Sequence, residues 1–378
     1  MSAPRTYLDH NASSPLRPEA RAAMLAVLDA AGNPSSVHGE GRRARAIVEE
    51  SREAVARLVC ARPEDVVFTS GGSEAANAVI RSGFDVIAFA GIEHDCVRQA
   101  ALATGARIVE LPVSADGVIE AGGLDRALAH LDAAGSQILV SLQLANNETG
   151  VIQAVGDLAH RAKARGAVVL TDAVQAAGRM TIDVRRLGAD AVVLSAHKLG
   201  GPKGVGAIVT PGPWAVTPLV RGGGQERGRR AGTENVAGIA SFGAAARAAV
   251  RDLDRTTGMA RMRDRMVKDA RRATPDVILI AEGVERLPNT ALIAWPEAKA
   301  ETLVMALDLE GIAVSAGSAC SSGKVGKRAT LEAMRVPMAI RDSAIRVSLG
   351  WSTTEDDIEC FLAAWQRVTE RMERRRVA

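Results

Sequence analysis

The feature that most constrains this chain is an alternation. Short continuous apolar runs occur at Val66–Thr69, Val86–Ala90, Ile138–Leu142, Val168–Thr171, Ala191–Leu194 and Val205–Val209. Between them lie longer Ala/Arg/Glu-rich stretches such as Arg42–Leu58, Leu124–Leu131 and Asp157–Arg165. Apolar runs without internal alternation suit strands buried on both faces. Strand–helix–strand order predicts an α/β fold with a mostly parallel sheet sandwiched by helices. After Val209 the pattern changes. Residues 221–235 form a polar loop rich in glycine and arginine, a long helix is expected over Asn235–Arg271, and shorter runs follow at Val277–Ile280, Thr290–Ala294 and Ile345–Ser348. A chain of 378 residues exceeds one ordinary core. A large domain with a smaller α+β companion from about residue 252 onward is the expected division.

Composition excludes several classes. No apolar run reaches the length of a membrane span. Aromatic residues are only 3%, too few for a base-stacking platform, and a net charge of +3 is no nucleic-acid footprint. The first residues lack a signal-peptide core, so a cytoplasmic location is expected. Cys60, Cys96, Cys320 and Cys360 have no metal-ligand spacing. Cys60, Cys96 and Cys360 read as packing residues. Cys320 sits among small residues in Ser315-Ala-Gly-Ser-Ala-Cys-Ser-Ser-Gly323, with Lys324 nearby to favour a thiolate.

Three strand ends carry chemistry. Ala191–Ser195 runs into His197-Lys198 and a glycine-rich turn, where a partly desolvated amine can serve as a Schiff-base nucleophile or lie on the surface as an ordinary lysine. Ala167–Thr171 ends in Asp172-Ala-Val-Gln175, with an acid that suits a pyridinium nitrogen or a helix cap. Val66–Thr69 meets Ser70-Gly-Gly-Ser73, a turn whose amides can hold phosphate.

These residues resemble the class V aminotransferase-like, fold-type I enzymes of pyridoxal 5'-phosphate (PLP), and within them the cysteine desulfurases of the NifS/IscS kind. The similar segments include Tyr7–Ala12, Gly32–Ser36, Phe68–Glu74, Glu93-His94, Asn146–Gly150, Asp172–Gln175, Ser195–Lys198, Arg229–Thr233, Ser318–Gly323 and Ile345–Gly350. The resemblance implies a large PLP-binding domain over 15–251, with 1–14 and 252–378 as the small domain carrying the cysteine loop. Lys198 would hold PLP covalently and remove the substrate's Cα proton. Asp172 would face the ring nitrogen, and His94 would stack on the ring and help move protons. Gly72, Ser73, Ser195 and His197 would hold the phosphate, joined by Thr233 from the other subunit of a homodimer. Asn147 and Gln175 would bond around the ring hydroxyl, while Asn33 and Arg346 would bind the carboxylate of L-cysteine. Cys320 would take the sulfur as a persulfide, releasing L-alanine, and pass it to an iron–sulfur scaffold protein or another acceptor. No resident metal is implied, only transient ligation of a cluster by Cys320 with a scaffold partner. A selenocysteine lyase, a cysteine sulfinate desulfinase or an aminotransferase is the alternative reading, and Cys320 discriminates against transamination.

Overall fold

The computed structural model describes residues 5–129, 131, 135–317 and 328–377. In chain order the strands are β1 (Thr6–Tyr7), β2 (Val66–Thr69), β3 (Val86–Ala90), β4 (Arg107–Leu111), β5 (Ile138–Gln143), β6 (Val168–Asp172), β7 (Ala191–Ser195), β8 (Gly206–Val209), β9 (Ile278–Leu279), β10 (Thr290–Ala294), β11 (Ile312–Ala313) and β12 (Ala344–Ser348). The main sheet has seven strands in the order β2-β8-β7-β6-β5-β3-β4. Strands β7, β6, β5, β3 and β4 pair in parallel, and β8 runs antiparallel between β2 and β7. Every residue of β2, β3, β5, β7 and β8 is buried, because helices cover both faces. Burying such apolar runs is the main favourable contribution to the fold.

The chain belongs to the α/β class, with the sheet expected from the apolar runs. Two details differ. Strand β4 (Arg-Ile-Val-Glu-Leu) was not among those runs, because it is an edge strand with only Leu111 buried. The helix expected over Asn235–Arg271 is two helices, Val236–Arg251 and Thr256–Ala273, joined by a 3-10 turn at Asp252–Arg255.

A separate apolar cluster gathers Leu8 with residues between Met266 and Val368, including Trp295, Phe361 and Trp365. It packs around the three-stranded antiparallel sheet β12-β10-β9 and the parallel pair β1-β11. Cys60 and Cys360 are exposed, and Cys60 has a φ of 55°, so the expectation that they pack inside is corrected for both. Each lies at or near a helix surface that the apolar pattern alone did not resolve. Among the described residues no helix is long and apolar enough to cross a membrane.

Candidate active site

The carboxyl ends of β2, β3, β5, β6 and β7 open onto one cavity of about 250 Å3, the place where α/β sheets put their ligands. Each end delivers different chemistry. After β2, Gly71 adopts φ +151° and caps the helix Gly72–Ile80. A Cβ at Gly72 would lie 3.2 Å from Val174 Cγ2 and 3.5 Å from Ser195 Cβ, so this turn lies close against β7. Ser73, Ser195 and His197 line the same end. His197 Nδ1 meets Ser13 Oγ at 3.2 Å, and burial followed by nearby Lys198 pushes its pKa down to about 4. It is therefore neutral near pH 7.

Strand β6 delivers Asp172, whose Oδ1 accepts from the Val174 amide at 2.9 Å. Burial pushes its carboxyl above the usual range. Lys198 follows β7 on a 3-10 turn, Ala196–Lys198, and its Nζ donates to the carbonyls of Asn11 and Ala12 at 2.6 and 2.8 Å. Gln175 donates from Nε2 to the Asn11 carbonyl at 3.0 Å and accepts from Arg179. Arg179 is itself buried, and its other donors reach the carbonyls of Gln175, His10 and Lys198. Burial lowers its pKa to about 9.

After β3, His94 caps the helix Asp95–Leu102, with Nδ1 accepting from the Cys96 amide at 3.1 Å. After β5, Asn146 Oδ1 accepts from the amides of Glu148 and Thr149, both at 2.9 Å, folding Asn146–Gly150 into a tight turn. Asn146 Nδ2 ties this turn to the Ile92 carbonyl. Arg346 enters from β12. Its Nη2 pairs with Asp9 at 2.7 Å, its Nη1 donates to the Asn147 carbonyl at 3.0 Å, and its buried Nε has no partner.

The cavity thus brings together Gly72, Ser73, His94, Asn147, Asp172, Gln175, Ser195, His197, Lys198 and Arg346. It does not bring in Asn33 or Thr233. Asn33 is exposed and accepts from the Ser35 amide within its own turn. Thr233 is exposed and lines a separate hollow with Ser70 and Gly204. His38, which follows the Asn33 turn, caps the helix Gly39–Leu58 and does not line the cavity. Cys320 lies outside the described residues.

Sequence reading assigned no role to Glu93, Gln143, Glu148 or Asn11, and all four line the cavity. Glu148 is buried with Oε2 unpartnered, and burial raises its pKa. The available signal was their place beside chosen residues at strand ends. Cys96, read as packing, also lines the cavity, and burial raises its thiol pKa.

Comparison with known proteins places the chain in a family. The profile of the family "Aminotransferase class-V" matches residues 6–361. "Cysteine desulfurase IscS" of Dictyoglomus turgidum is 36% identical, covering 97% of this chain and 95% of that protein. "Cysteine desulfurase" of Cereibacter sphaeroides is 39% identical, covering 97% and 96%. The X-ray structure of a NifS-like protein from Rickettsia africae superposes with a TM-score of 0.89 at 31% identity, covering 97% of this chain and 99% of that one. Matches of this extent mean that the chain belongs to the class-V aminotransferase family and, within it, to the cysteine desulfurases.

Proposed function

We propose that the chain converts L-cysteine to L-alanine with PLP held at Lys198, and carries the sulfur away as a persulfide on Cys320. The observation behind this reading is the convergence of an amine, a carboxylate, a glycine-opened helix N-terminus and a buried arginine on one cavity.

The donor set fits PLP. The amides at Gly72–Ser73, with Ser73, Ser195 and neutral His197, suit a phosphate at a positive helix end. Asp172 has one oxygen committed to Val174 and suits a protonated ring nitrogen. Lys198 supplies the amine for the aldehyde. When bound, PLP supplies an electron sink for the substrate's Cα and Cβ.

The remaining work falls to the chain. Arg346, already fixed by Asp9 and Asn147, orients the substrate carboxylate with its planar fork. Asn33 is assigned to the same carboxylate, although in its own chain it sits outside the cavity. Lys198 takes the Cα proton once its amine is free, and the carbonyls of Asn11 and Ala12 hold Nζ in place meanwhile. With PLP bound, His94 would lie against the ring and help move a proton, and Gln175 and Asn147 would hydrogen-bond around the ring hydroxyl. The Cys320 thiolate attacks the substrate sulfur. An S–S bond forms, the C–S bond breaks, its electron pair stays on Cβ, and one proton at Cβ together with return of the Cα proton from Lys198 completes alanine.

The same reading makes the protein a homodimer, with Thr233 reaching the phosphate of the other subunit. Residues 15–251 form the large domain, and 1–14 with 252–378 the small one. The separate cluster around Trp295 and Trp365 supports that division. The sulfur acceptor is an iron–sulfur scaffold protein or a related carrier in the cytoplasm.

The test is purified protein incubated with L-cysteine, with alanine and protein-bound persulfide counted. Alanine and transferable sulfur in equal amounts are expected, and Cys320→Ala should abolish sulfur transfer. Unchanged persulfide formation in Cys320→Ala, or keto acid in place of alanine, would redirect the assignment to another class-V enzyme.

A further inference from the structure

Glu93 and Asp172 both line the cavity, and the proposed reaction uses only Asp172. Glu93 leaves β3 and points across to β5. There its Oε1 accepts from the Gln143 amide at 2.7 Å and from Ser141 Oγ at 3.3 Å. Gln143 is the Cα partner of Asp172 in the β5–β6 register. Glu93 and Asp172 therefore occupy neighbouring strand ends of one wall. The second oxygen, Glu93 Oε2, is buried without a hydrogen-bond partner, and so is Gln143 Nε2.

An ionised Oε2 buried beside Asp172 with no donor would carry the full cost of a desolvated anion. A neutral carboxyl changes the arithmetic. Its hydroxyl and the Gln143 amide then form two donors at the cavity wall that Asp172 also lines. We propose that Glu93 is a positioning residue that forms a neutral, hydrogen-bonding floor beside the cofactor ring and leaves Asp172 as the single anion there. This inference rests on the PLP reading of the cavity.

The surrounding charges agree. Burial first, then the neighbouring Asp172 charge, push Glu93 up to about 8. The opposing effects come from the two β5 donors and from His94. The other titratable groups of the cavity are Asp95, Cys96 and Arg98 on the helix after β3, Glu148 after β5, His197 and Lys198 after β7, and Arg346 on β12. One neutral acid and one anion match a single positive ring nitrogen. Two anions would not, and the pair would share a proton as close carboxyls do.

The test reads the visible absorbance of PLP-loaded protein against pH, independently of turnover. Wild type should show a spectral transition well above the ordinary carboxylate range as Glu93 ionises. Glu93→Gln, the isosteric neutral form, should match wild type at neutral pH, bind PLP within about twofold, and lack that transition. Ser141→Ala removes one bond to the ionised form and should move the midpoint upward by about half a pH unit. Should Glu93→Gln fail to fold, the Ser141→Ala shift alone decides. An identical transition in Glu93→Gln, PLP binding weakened more than about tenfold there, or an unmoved midpoint in Ser141→Ala would overturn the proposal. Protein that takes up no PLP at all would instead end the functional reading, and this inference with it.

Discussion

At position 206 a single hydrogen atom sets how closely two strand ends can meet. A Cβ on Gly206 would lie 2.6 Å from the Gly71 carbonyl carbon and 2.7 Å from both Gly71 Cα and the Leu194 oxygen. These are backbone atoms and cannot swing aside. Gly206→Ala should therefore cost about 1–3 kcal/mol in urea unfolding and loosen the Gly71–Ser73 turn, so that PLP washes out on gel filtration. A variant as stable and as tightly loaded as wild type would count against that turn as the phosphate seat. Position 10 is equally tight, because a Cβ on Gly350 would sit 1.8 Å from His10 Nδ1. His10 is fully buried, and burial lowers its pKa to about 3. The unfolded chain takes up this proton near pH 6.5, whereas the folded chain does not until about 3. Stability attributable to His10 is thus present above pH 6.5 and is lost progressively as the pH falls toward 3. Glu93 acts in the opposite sense, so the comparison must be between variants. Between pH values of about 7.5 and 5, His10→Gln should lose about 2 kcal/mol less stability than wild type, read from urea midpoints at the two values.

One element shows how a loop is pinned from below. Arg52, on the helix Gly39–Leu58, makes two bonds to Glu226 at 2.7 and 2.9 Å, and both side chains are buried. Glu226 also accepts from the Phe68 amide, and it and Arg227 hold φ of 48° and 58°, in the left-handed region. Arg52→Met would leave a buried carboxylate without its cation. The expected cost is about 3–5 kcal/mol in urea unfolding, and adding Glu226→Gln should return part of it. Additive losses would show that the pair is not coupled. No sequence pattern announced this pair, since 174 residues separate the partners. The same limit explains what was legible elsewhere. Strands such as β3 and β7 could be read because burial on both faces leaves an unbroken apolar run. Strand β4 could not, because its Arg107 and Glu110 face solvent at the sheet edge. The break at Asp252–Arg255 carries no glycine or proline and left no mark. At the site, Lys198, Asp172 and Gly72 could be read because each follows a strand directly. Glu93 and Glu148 follow strands too, but their significance lies in burial and missing partners, which no local spacing encodes.

For the whole molecule, the question is whether one chain completes its own site. Ten of the expected residues line a single cavity, whereas Thr233 sits on the exposed loop beyond Glu226, next to Ser70 and Gly204. A residue that completes the phosphate site of its own chain should line that cavity, and Thr233 does not. Its place suits a contribution across a two-fold axis, where the same patch is exchanged between subunits. Mixing two defective proteins tests this directly. Lys198→Ala removes the amine, and Thr233→Ala removes the hydroxyl offered to a phosphate. If Thr233 acts across the axis, a hybrid dimer holds one site with both defects and one site with neither. After random exchange of subunits, activity should recover to about one quarter of wild type, since half the dimers are hybrids with one sound site each. If Thr233 acts within its own chain, each site of the hybrid carries one defect, and mixing recovers nothing beyond the average of the two parents. Alanine release before and after exchange in mild denaturant distinguishes the two outcomes. Failure to recover would rule out a contribution of Thr233 across the two-fold axis.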